Sequence, residues 1–301
     1  MTWIGLTDHL GGRFSPTGLG RGKLMRPGKL LERGTIMLET FIAGELRPHD
    51  LFSVSQHFPA PREIAFRAVP GGGFALVHQQ ADTLTHAAVA WSGDGRPHTL
   101  RLNYSWDTRL RWGRLTLEQP ARTLVRSSTV PTPSPVLAED IRALLLAHSD
   151  RTLSKEALFA AATSGIVPIG PLPSLHPSTP IATPKGYREA ATLKRGDVVI
   201  TDRGQTATVL HVVRYSVPAR GSFAPVRLHA PYFGLQRDIV VAPEQRLVVR
   251  GSEVEYIFGQ EAVLVPARHL VNGYAATWRP SQSVAEYVQV GLPLHEALLA
   301  A

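Results

Sequence analysis

Residues 171–204 read PLPSLHPSTPIATPKGYREAATLKRGDVVITDRG. The first half breaks regular structure. Five prolines fall within the fifteen residues from Ile166 to Pro180, and each removes a backbone donor and fixes its own φ. The second half changes character. Short apolar runs, PIAT and DVVIT, are separated by the turn signals Pro184-Lys185-Gly186, Arg195-Gly196-Asp197 and Asp202-Arg203-Gly204. Runs of this length between Gly, Pro and Asp clusters predict strands. The pattern continues through TATVLHVVRYS, APVRLHA, DIVVAP, RLVVRG and EAVLVPA. Residues 174–301 are therefore expected to form an all-β domain of short strands.

Upstream of the prolines, AEDIRALLLAHSD carries Ile141, Leu144, Leu145 and His148 at helical spacing. SKEALFAAAT, from Ser154, reads as a second helix with Ser154 as its N-cap and Glu156 in its first turn. Residues 137–173 are expected to be a helical, Pro-rich linker. Before them, TIMLETFIAG alternates, with Ile36, Leu38, Thr40 and Ile42 on one face and Met37, Glu39 and Phe41 on the other. In HTLRLNYSWD, residues Leu100, Leu102, Tyr104 and Trp106 line one face. Strands recurring with turn signals such as Gly93-Asp94-Gly95 predict an antiparallel β-sandwich over residues 1–136. The pattern over about residues 30–130 is similar to the laminin-G and concanavalin-like jelly rolls. Aromatic residues in such strands are core more often than ligand platform; glycan binding by the sandwich is a further reading, which a Ca²⁺ requirement or a solvent-facing Trp91 or Trp112 would favour.

Composition sets limits on these readings. Of 301 residues, 44% are hydrophobic and 19% charged, with 26 Gly and 24 Pro. Such a chain buries a core and favours short strands over long helices. It has no cysteine, which excludes disulfides, thiolate metal sites and thiol nucleophiles. The N-terminal MTWIGLTDHLGG lacks the pattern of an ordinary signal peptide, and no apolar run suits a membrane span. Net charge is +8. Lys and Arg outnumber Asp and Glu sixteen to ten over residues 1–136. The run Arg13, Arg21, Lys23, Arg26, Lys29 and Arg33 faces only Glu32, so polyanions are a further partner class.

Residues 179–204, TPIATPKGYREAATLKRGDVVITDRG, resemble the opening of a bacterial Hint (Hedgehog/intein) domain. DIVVAPEQRLVVRG, EYIFGQEAVLVPARHLVNG and EYVQVGLPLHEALLAA resemble its later blocks, in order. The resemblance covers about residues 174–301 and implies a wrap of short strands. It also implies a chemistry. A side-chain nucleophile attacks the preceding carbonyl in an acyl shift, a His protonates the leaving amine, and a Thr and nearby amides hold the carbonyl oxygen. Here the nucleophile position falls on Ser174, after Pro173 and just upstream of Thr179. The Thr and His positions fall on Ala242 and Gln245, within Ala242-Pro243-Glu244-Gln245. A further His position falls on Gln289, and Glu296 follows His295 where splicing members end in His-Asn. Ala242 has no hydroxyl and Gln245 is no acid, so the resemblance implies a degenerate centre. The expected role is a binding or structural module, with protein partners or glycans. Self-cleavage at Pro173–Ser174 is the alternative. Glu244 is a candidate replacement acid. His78 and His86 are placed to approach across a hairpin, but no carboxylate spacing accompanies them, and neither metal nor cofactor is expected.

Overall fold

The computed structural model describes residues 2–15, 18–19, 29–57, 60–122, 124–146, 149–170, 173–279 and 283–300. Arg21, Lys23 and Arg26 of the basic run, and His148, lie outside the described residues. The chain divides into two compact units, 1–170 and 171–301.

In the first unit the strands are β1 (Trp3–Asp8), β2 (Gly11–Phe14), β3 (Leu30–Leu31), β4 (Arg33–Ile42), β5 (His49–Gln56), β6 (Arg62–Ala68), β7 (Phe74–Gln80), β8 (Thr83–Val89), β9 (His98–Asp107), β10 (Trp112–Gln119), β11 (Leu124–Thr129) and β12 (Val136–Leu137), followed by helix α1 (Ala138–Leu145), β13 (Arg151–Leu153) and β14 (Ala157–Thr163). Among the described residues, one sheet runs β11-β10-β9-β4-β14-β1-β2 and a second runs β13-β5-β6-β7-β8. The alternation in β4 and β9 aims Ile36, Leu38, Leu100, Leu102, Tyr104 and Trp106 at Phe52, Phe66 and Phe74 of the facing sheet, in one buried core. Full burial of such a side chain contributes roughly 1.5–3 kcal/mol. The indole of Trp106 crosses Gly34 and donates to the Leu31 carbonyl at 2.8 Å. A Cβ on Gly34 would meet that ring at 2.7 Å and the Thr163 carbonyl at 2.8 Å, so the close approach requires glycine.

The reverse face of β4, β9 and β10 is also buried, and it is polar. Glu39 is fully buried opposite Arg101. Arg101 lies 3.5 Å from Glu39 and 3.6 Å from Glu118. Asn103 donates to Glu118 at 2.6 Å, and the Gly170 amide donates to its other oxygen at 2.8 Å. A charge taken out of water needs such partners.

Two sequence expectations are corrected here. Ser154-Lys155-Glu156 does not start a helix. The Ser154 amide donates to Leu51 at 2.9 Å, and the following ALFAAAT is β14, paired with β4 on one side and β1 on the other. Alanine favours helices, but a strand in mid-sheet is covered on both faces, and Ala157, Phe159, Ala160, Ala161 and Ala162 fill that space while staying 0–1% exposed. Residues 137–173 are consequently not a linker. They supply α1, which buries Ile141, Leu144 and Leu145 as its spacing requires, and the strand that completes the sheet.

The second unit is built from small antiparallel ribbons. Its strands are β15 (Pro180–Thr183), β16 (Gly186–Glu189), β17 (Val198–Ile200), β18 (Thr206–Thr208), β19 (His211–Pro218), β20 (Val226–Leu228), β21 (Ile239–Val241), β22 (Arg246–Arg250), β23 (Ala262–Pro266), β24 (Ala276–Trp278) and β25 (Val284–Gly291), with helix α2 (Ser252–Phe258) between β22 and β23. The pairs are β15-β16, β17-β18, β19-β25 and β22-β23, and the triple is β21-β20-β24. Turns at Gly186, Gly196 and Gly204 fall where the sequence signals stand, each with positive φ. Leu175, Ile181, Val199, Val226, Leu228, Val241 and Val288 share one core. The last residues seal the wrap. The Ala182 amide donates to Leu299, Leu299 donates to Ile200, and Asp202 donates to Ala297, at 2.8–3.1 Å. No helix of the described residues is long and apolar enough to cross a membrane.

Candidate functional site

Ser174 enters the second unit on a short extended segment between β21 and β25. Leu175 and Val288 exchange backbone bonds at 2.8 and 2.9 Å. On the other side the Ala242 amide donates to the Ser174 carbonyl at 2.8 Å, and the His176 amide donates to Val240 at 3.0 Å. The apolar Leu175 anchors this segment in the core. Ser174 and Ala242, 68 positions apart in the chain, are thereby joined by one backbone bond.

Thr179 is 2% exposed. Its hydroxyl donates to the Val240 carbonyl at 3.1 Å, and its amide donates to His176 at 2.9 Å. It fixes the turn that follows Ser174 rather than facing solvent. His176 and Ser178 close the same turn, with the imidazole Nδ1 2.8 Å from the Ser178 hydroxyl. Burial first, and then Arg279, hold the His176 imidazole below its ordinary pKa, against the opposing pull of Glu286 and Glu189.

The Ser174 hydroxyl is 2.5 Å from the phenol oxygen of Tyr215, and Ser174 is 1% exposed. Tyr215 lies on β19 directly opposite Tyr287 of β25, with ring centroids 6.0 Å apart. The Tyr287 hydroxyl donates to the Phe223 carbonyl at 3.0 Å. Burial pushes the Tyr215 phenol up to about 12, opposed by its bond to Ser174. Burial, and then Tyr215, raise Tyr287 further. At neutral pH both phenols are protonated, so this partner of Ser174 is a neutral phenol and no base. Sequence reasoning missed both tyrosines. Tyr215 is 41 residues from Ser174, and no local pattern marks a contact across two strands.

Ala242 to Gln245 form a tight turn, closed by the Gln245 amide donating to Ala242 at 3.0 Å. The Gln245 side chain donates to the Arg246 carbonyl at 3.0 Å. Glu244 is tied to the Arg268 guanidinium, so the candidate replacement acid is held in an ion pair. Gln289 stands opposite Val213 on β25, two residues beyond Tyr287. His295 is exposed, and the Glu296 amide donates to Leu294 at 3.0 Å.

In the first unit His78 and His86 do not approach each other, and Trp91 does not face solvent. His78 is buried opposite Thr85, whereas His86 lies opposite Val77 on the exposed face. Adjacent positions alternate across a strand, so the two imidazoles are on opposite sides. Trp91 is 5% exposed and packs on Phe74 and His98, which makes it core rather than platform. Trp112 is half-buried with the Arg114 guanidinium 5.2 Å from its ring centre. Among the described residues no group of three or more His, Cys, Asp or Glu could hold a metal ion.

Residues 173–301 match the family model of the Hint domain, and the second unit is a Hint domain. No curated protein matches the chain. Among solved structures, the chain is similar to the CBM40 of Ruminococcus gnavus IT-sialidase bound to α2,3-sialyllactose, at 14% identity and a TM-score of 0.34, over 49% of this chain and 91% of that one. The same module bound to α2,6-sialyllactose gives 14% and 0.33, over 49% and 92%. Scytalido-glutamic peptidase with a peptide-based transition state analog gives 8% and 0.23, over 80% and 97%.

Proposed function

We propose that the Hint domain of this protein is silent as a self-cleaving device and serves as a binding or structural module. The observation that carries this reading is the hydroxyl of Ser174, buried against the neutral phenol of Tyr215. A serine hydroxyl is a weak nucleophile unless a base takes its proton, and a phenol at its raised pKa does not. The Ala242 and Gln245 turn supplies neither a hydroxyl for the carbonyl oxygen nor a proton for the leaving amine. A positioned acid is worth about 10²–10⁴ in rate and one oxyanion donor about 3 kcal/mol. These losses are not additive, but they act in the same direction.

The test is the intact mass. Purified protein keeps its full 32.8 kDa through prolonged incubation, with or without hydroxylamine, which would trap an ester at Ser174. In the double variant Ala242→Thr with Gln245→His, slow cleavage after Pro173 returns, and adding Ser174→Ala abolishes it. A fragment beginning at Ser174 from the unsubstituted protein would instead make this an active serine-based autoprocessing domain.

A further inference from the structure

On the face of the β21-β20-β24 triple opposite to its apolar side, three side chains meet in series. His229 directly follows β20, Asp238 directly precedes β21, and Thr277 lies in β24. The His229 Nδ1 is 3.0 Å from Asp238 Oδ2, and its Nε2 is 2.9 Å from Thr277 Oγ1. Asp238 is fixed from two further directions. The Ala230 amide donates to Oδ1 at 2.9 Å, and Arg227 Nε donates to Oδ2 at 2.9 Å. The Ala230 amide foremost, with His229 and Arg227, holds the Asp238 carboxyl below its ordinary range. An ionised carboxylate only accepts, so His229 Nδ1 must donate to it. In the neutral imidazole Nε2 is then an acceptor, and the Thr277 hydroxyl donates to it.

We propose that Thr277, His229 and Asp238 form an acyl-transfer site, separate from Ser174, for activated esters of small acyl groups. A hydroxyl bonded to an imidazole whose far nitrogen is held by a carboxylate is the arrangement that activates a nucleophile. Arg227 stands directly across from Thr277 in the ladder, where cross-strand Cβ atoms are about 5 Å apart, and it is half exposed. Its guanidinium supplies the positive charge for an oxyanion forming on a carbonyl at Thr277. The steps balance. His229 Nε2 takes the Thr277 proton as Oγ1 bonds to the acyl carbon. The carbon–oxygen bond to the alcohol breaks, and the alcohol leaves with the proton from His229. Water, deprotonated by the same nitrogen, then attacks the acyl-threonine, releases the acid and restores the hydroxyl. Thr277 and Arg227 touch the substrate, His229 exchanges protons with it, and Asp238 is a positioning residue.

The test is acetylation of the full chain by p-nitrophenyl acetate, with the acetyl group located by peptide mapping. One acetyl is expected on Thr277, and p-nitrophenolate release faster than the blank. Thr277→Ser keeps both, while Thr277→Val and His229→Gln each lower the rate by about 10²-fold with thermal melting unchanged. Asp238→Asn removes the carboxylate 3.0 Å from His229 Nδ1 and lowers the acetylation rate, with Thr277 still the residue acetylated. Acetyl groups on lysines alone, or a rate that Thr277→Val and His229→Gln leave unchanged, would overturn the assignment.

Discussion

The hydroxyl of Ser174 and the phenol of Tyr215 share a hydrogen bond between residues 41 positions apart, at the place where family resemblance puts a nucleophile. The serine is 1% exposed. Tyr215→Phe removes one partner of this bond and is expected to lower the stability of the second unit by about 1 kcal/mol, measured by urea unfolding. The same variant should still show no cleavage at Pro173–Ser174 by intact mass, since removing the phenol provides no base.

In the first unit, Arg101 sits between the buried carboxylates of Glu39 and Glu118. Arg101→Met fits the space but leaves two carboxylates without their cation. Removing one partner of a buried ion pair costs about 3–5 kcal/mol. Urea titration should show that loss in the transition of the first unit, whereas replacing an exposed arginine such as Arg111 leaves the midpoint where it is.

Two buried groups give the first unit opposed responses to acid. Burial brings the His78 imidazole down from 6.5 to about 4. Between those values the unfolded chain binds a proton that the folded one refuses, so this residue destabilises as pH falls. Burial raises the Asp140 carboxyl from 3.8 to about 6, against the opposing pull of Arg62 at 3.1 Å. Between about 4 and 6 the folded chain keeps a proton that the unfolded one has lost, so this residue destabilises as pH rises. The two slopes largely cancel in the native protein. Relative to it, His78→Gln should gain stability as pH is lowered from about 6 to 4, and Asp140→Asn should lose stability over the same window. Unfolding midpoints at several pH values check both signs.

The unit boundary has its own test. A chain ending at residue 136 lacks β14, the strand between β4 and β1, and is expected to be unfolded by circular dichroism and to be rapidly proteolysed. A chain ending at residue 170 keeps that strand and the Gly170 amide on Glu118, and should unfold cooperatively.

Much of this architecture was legible in the sequence because the signals were local. The alternation of β4 and β9 put Ile36, Leu38, Leu100 and Tyr104 on one face, and the Gly and Pro punctuation of the second unit marked its turns. The failures arose where tertiary placement outweighs local preference. SKEALFAAAT has helical composition, and only its position between two strands makes small side chains suitable for a sheet. The sequence left Trp91 open between core and platform, and Phe74 and His98 enclose it. At the candidate site, the positions of Ser174, Ala242 and Gln245 followed from family resemblance, whereas Tyr215 and Tyr287 are placed by strand pairing alone. The Asp238–His229–Thr277 series was invisible for the same reason, since three strands must align before its atoms meet.

The position of β14 also has a consequence for synthesis. On a ribosome, β1 and β4 emerge more than a hundred residues before the strand that must lie between them. Until then the nascent sheet holds a vacant slot with two unpaired edges at its centre, where a strand from another chain can lodge. A chain whose synthesis stops before residue 163 is therefore expected to leave that slot unfilled.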